Sequence, residues 1–90
     1  MTKNLLPLTR LPHDFLGFTE NHLLCLFNAS INQSDIYQLT EDPRTGDIQK
    51  VELVFSIPGT RLKVFVGKGD KVVCDKMVYR RVREREWTLL

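Results

Sequence analysis

Turn signals interrupt this chain at short intervals. Pro43 and Gly46, then Pro58-Gly59, then Gly67-Lys68-Gly69-Asp70 punctuate its second half. The segments between them are too short for ordinary helices and suit strands of five to ten residues. Pro presets a negative φ for the first half of a turn, and Gly accepts the positive φ that closes it. The segment Glu41 to Asp47 therefore reads as a hairpin turn, and Pro58-Gly59 and Gly67 to Asp70 as two further turns.

The intervening residues have strand character. His22 to Phe27 is a short apolar run, read as a buried strand, and polar Asn28 to Ser34 as a loop. Asp35 to Thr40 carries Ile36, Tyr37 and Leu39. From Ile48 to Ile57 the alternation places Val51, Leu53, Phe55 and Ile57 on one face. Arg61 to Val66 alternates likewise, with Leu62, Val64 and Val66 opposite Arg61, Lys63 and Phe65. Lys71 to Arg83 is valine-rich with mixed parity, which predicts one long bulged strand. Ahead of these, residues 1–11 read as an extended arm, and Pro12 to Gly17 has the punctuation of one helical turn.

The expected architecture is a single mainly β domain over 1–90, with small α+β content at most. About five antiparallel strands form one sheet or a small barrel. Residues 1–20 hold the arm and the helical turn, 21–83 the strand core, and 84–90 a charged tail. Composition agrees: 42% of the 90 residues are hydrophobic and 27% charged, which is neither disordered nor membrane-spanning. The N-terminus has no uninterrupted apolar core, because Pro7, Thr9 and Arg10 break it, so an intracellular, cytoplasmic protein that is not secreted is expected.

Chemistry-bearing motifs are sparse. His22 and Cys25 have H-x-x-C spacing, but the usual second ligand pair is missing and no metal is expected. Cys25 and Cys74 lie inside apolar runs and read as small buried hydrophobes. A cysteine-dependent enzyme is a remote alternative that needs one of them beside a histidine. Gly67-Lys68-Gly69-Asp70 lacks the spacing of a phosphate loop, and Asp70 would repel phosphate. Glu41, Asp42 and Asp47 cluster on a turn, where water solvates them. Neither a catalytic residue nor a cofactor is expected.

Charge is distributed unevenly. Residues 1–56 carry 4 basic and 7 acidic residues, a net −3, while residues 57–90 carry 9 and 4, a net +5. The overall +2 hides this split. Arg61, Lys63, Phe65, Tyr79, Arg80, Arg81, Arg83, Arg85 and Trp87 are expected to make a basic, aromatic-flanked binding surface at 61–87. Its leading reading is an adaptor or inhibitor that meets a protein partner or a second copy of itself, since Arg, Tyr and Trp anchor protein interfaces. The alternative is single-stranded RNA or DNA, held by cations and stacked rings as small β-barrels do.

Overall fold

The computed structural model describes residues 13–90. The expected arm at residues 1–11 lies outside them. Eight strands run antiparallel: β1 (His13–Phe18), β2 (Leu23–Asn28), β3 (Gln33–Glu41), β4 (Ile48–Pro58), β5 (Phe65–Lys68), β6 (Lys71–Cys74), β7 (Met77–Arg83) and β8 (Glu86–Leu89). They form two four-stranded sheets, β1-β2-β3-β4 and β5-β6-β7-β8, each a plain succession of hairpins. The mainly β, antiparallel expectation holds, with two facing sheets in place of one. No helix among the described residues is long and apolar enough to cross a membrane.

The two sheets share one core. Leu23, Cys25, Ile36 and Ile57 come from the first, and Val72, Cys74 and Trp87 from the second. Between the sheets, Pro58-Gly59 turns the chain and residues 59–64 cross over, inserting Leu62 into the same core. Ser34 straps this crossing: its buried hydroxyl donates to the Thr60 carbonyl at 2.7 Å and accepts from the Leu62 amide at 3.3 Å. The expected strand from Arg61 to Val66 is therefore displaced to Phe65–Lys68, because a chain changing sheets cannot stay in either ladder.

Of the expected helical turn over Pro12–Gly17, Pro12 lies outside the described residues and residues 13–17 belong instead to β1. Phe15 pairs with Leu26 and Gly17 with Cys25, and Leu16 is the extra residue of a bulge. The bulge sends Leu16 to the core and leaves Phe15 and Phe18 exposed. The long strand expected over 71–83 is a hairpin that turns at Asp75-Lys76, where Asp75 takes a φ of 55°. The Asp75 carboxylate accepts from the amides of Lys63 and Val64 at 2.7 Å each, tying this turn to the crossing segment. The charged tail at 84–90 is a turn at Glu84-Arg85 followed by β8, whose Trp87 is buried.

Bulges also redirect β4. Ile36 pairs with Phe55 and Tyr37 with Leu53, so Val54 is extra. Phe55 and Ile57 thus face the other sheet, while Leu53 is 56% exposed and Val51 packs on the opposite face with Leu24, Leu26, Leu39 and Ile48. The single apolar face expected for Val51, Leu53, Phe55 and Ile57 is split in two.

The β1–β2 turn is sewn to the β5–β6 hairpin by Asn21. Its amide nitrogen donates to the carbonyls of Gly69 and Lys71, at 3.1 Å each. Gly67 makes room for it: a Cβ there would lie 3.0 Å from Asn21 Cγ and Nδ2. Gly67→Ala is expected to displace Asn21, break both bonds and cost about 1–3 kcal/mol. Urea unfolding checks this, and an unchanged midpoint would refute it.

Candidate interaction surface

The nine expected site residues do not share one face. Successive strand residues point to opposite sides, so Arg80 and Arg81 diverge. Arg80 is exposed on the outer face and meets Asp70, Nε to Oδ2 3.3 Å. Arg81 points inward, its guanidinium 5.0 Å from the ring centroid of buried Trp87. Tyr79 also turns inward and stacks on Phe55 with centroids 4.3 Å apart. Phe65 packs toward the core on β5, at the other edge of the sheet from Trp87 on β8. Arg61 pairs with Asp14 at 2.8 Å and lies over Phe27 of the first sheet. Exposed Arg85 contacts Glu52 at 3.0 Å. Lys63 and Arg83 are exposed on the crossing segment and at the end of β7.

A different constellation is built by the register of the second sheet. Lys68 pairs with Lys71, Lys71 with Arg80, and Arg80 with Thr88. Two positions along, Val66 pairs with Val73 and Val73 with Val78. Alternation puts all of these on the outer face, because their neighbours Val72 and Cys74 are buried inward. The result is a row of three cations beside a row of three valines. Val66 is 62% exposed. Lys71 and Arg80 stand on the inner strands β6 and β7, so guarding a sheet edge does not account for them. Like charges directly opposite each other destabilise a sheet. Asp70 offsets this only at Arg80.

The charge split follows the layers. Residues 13–58, which make the first sheet, carry 7 acidic and 2 basic residues, and residues 59–90 carry 4 acidic and 9 basic. Among the described residues, the phenylalanines exposed to solvent are Phe15 and Phe18, on the first sheet rather than beside the cation row. Lys68, Lys71 and the valines were legible in sequence only through pairing: a two-residue Gly69-Asp70 turn, with Gly69 at a φ of 61°, fixes Lys68 opposite Lys71.

The other chemical candidates separate. His22 Nδ1 meets Glu41 Oε1 at 3.2 Å, while Cys25, three residues on, is fully buried in the core. Both cysteines are free thiols. Burial pushes each up to about 12, helped for Cys25 by Cys74 and for Cys74 by Asp75. Among the described residues no three His, Cys, Asp or Glu side chains are grouped so as to hold a metal ion. Comparison with protein-family models, with curated proteins and with solved structures returns no match.

Proposed function

We propose that this chain is a small non-enzymatic interaction protein. Its outer C-terminal sheet face docks a protein partner that presents carboxylates beside an apolar stripe. The observation that carries this reading is the row Lys68-Lys71-Arg80 flanked by Val66-Val73-Val78. Cations across an interface steer encounter and fix register, and the valines supply area to bury. Protein is favoured over single-stranded nucleic acid because bases need flat rings to stack on, and this face offers valines. A cysteine-dependent enzyme is disfavoured because the nucleophile is the thiolate, and both thiols are held protonated.

The test titrates the labelled protein with an alternating Val-Glu peptide and with a single-stranded oligonucleotide of equal charge. Amide shifts centred on Lys71, Val73 and Arg80 with the peptide are expected. Added salt should weaken binding, and Lys71→Glu with Arg80→Glu should reduce affinity by about 10- to 100-fold. Tighter oligonucleotide binding would favour the nucleic-acid reading. Concentration-dependent self-association through this face would favour a second copy. Silence of the face toward both probes would refute a binding role.

A further inference from the structure

At one end of the molecule a cavity of about 290 Å³ opens between β3 and the β7–β8 turn, with His22, Gln38, Glu41, Arg81, Glu84 and Arg85 in its lining. Its ionisable side chains each contact an oppositely charged or ionisable side chain, with one exception. His22 is engaged by Glu41 at 3.2 Å. Arg85 lies 3.0 Å from Glu52 and 4.0 Å from Glu84. Arg81, half-buried, has no carboxylate partner among the described residues. Its Nη2 donates to a neutral acceptor, Gln38 Oε1, at 3.2 Å. That amide cannot turn away freely, because Gln38 Nε2 donates to the carbonyls of Asn21 and His22, at 3.2 Å each.

Two donors in this corner are buried without an acceptor: Arg81 Nε and Trp87 Nε1. A guanidinium stays charged at any relevant pH and presents donors in a planar fork matched to carboxylate. Half-buried with a neutral acceptor, it has no anionic partner among the described residues.

We infer that this cavity binds a carboxylate, received by the guanidinium of Arg81. Glu41 and Glu84 on the lining oppose a dianion, which selects a singly charged carboxylate over phosphate. The group can belong to a free small acid or to the C-terminus of a peptide. This site lies on the inward side of β7, away from the cation row, so either can fail without the other.

The chain has a single tryptophan, and Arg81 lies over its ring, so its indole N–H gives one resonance that reports on Arg81. The test titrates labelled protein with sodium propionate and with acetyl-Ala-Ala bearing a free carboxylate. Acetyl-Ala-Ala amide, sodium phosphate and sodium chloride at matched ionic strength are the controls. A saturable indole shift with either carboxylate, absent with the amide and chloride and weaker with phosphate, is expected. Propionate binding as tightly as the dipeptide identifies a free acid, and preference for the dipeptide a chain terminus. Arg81→Gln should weaken binding at least about tenfold. An unmoved indole resonance with both carboxylates, an equal response to the amide, or binding retained in Arg81→Gln would overturn the inference. Should Arg81→Gln fail to fold, the comparison of acid with amide on the unaltered chain decides alone.

Discussion

Truncating Ile57 to alanine is expected to cost about 2–5 kcal/mol of unfolding free energy. Truncating Leu53, four residues earlier on β4, should cost about 1 kcal/mol or less. Strand alternation alone gives these two the same face. The extra residue at Val54 separates them: Ile57 is 5% exposed in the core between the sheets, and Leu53 is 56% exposed. A small domain has only about 5–15 kcal/mol in total, so Ile57→Ala removes a large share. Urea midpoints for the two variants read the difference directly. Equal losses would refute the separation of these two residues onto different faces.

The second large effect is alkaline destabilisation. Both thiols are raised in the folded chain, from 9.0 to about 12, chiefly by burial. In the unfolded chain they ionise near 9, so above that pH the unfolded state binds fewer protons and is favoured. The contribution is intact below pH 9 and is lost progressively between 9 and 12. With both unfolded thiols ionised, stability falls by about 3 kcal/mol per pH unit. Burial raises Tyr37 and Tyr79 as well, in the same direction. Urea unfolding from pH 8 to 11 should show the decline, and a variant carrying Cys25→Ala and Cys74→Ala should show a shallower one. Identical slopes would exclude the thiols as the cause.

The limits of reading this chain have physical causes. Turns closed by proline and glycine were legible: the Asp42 amide donates to the Asp47 carbonyl at 2.8 Å across the expected hairpin, and Gly46 has a φ of 75°. Two turns closed by other residues were not. Asp75 and Arg85 take positive φ at the ends of two hairpins, and neither carries the glycine that would advertise it. Hence one long strand and a tail were expected where three short strands stand. Bulges at Leu16, Gln49 and Val54 were equally silent, because an extra residue shifts parity without changing composition. The binding surface suffered most. Clustered arginines in sequence suggested one basic face, but alternation sends Arg81 inward and Arg80 outward. The cations that do align, Lys68, Lys71 and Arg80, come together only through pairing across two turns.

Each sheet is wound from one uninterrupted stretch of chain, and the crossing at 59–64 connects them covalently. Every ladder therefore closes a short loop, at little entropic cost. Sandwiches that interleave their strands must bring distant segments together before any ladder forms, and so fold slowly. Here hairpins can zip one after another along each half, leaving mutual docking as the chief long-range search. That arrangement favours quick folding and brief exposure of the sticky strand faces on which nascent β chains aggregate.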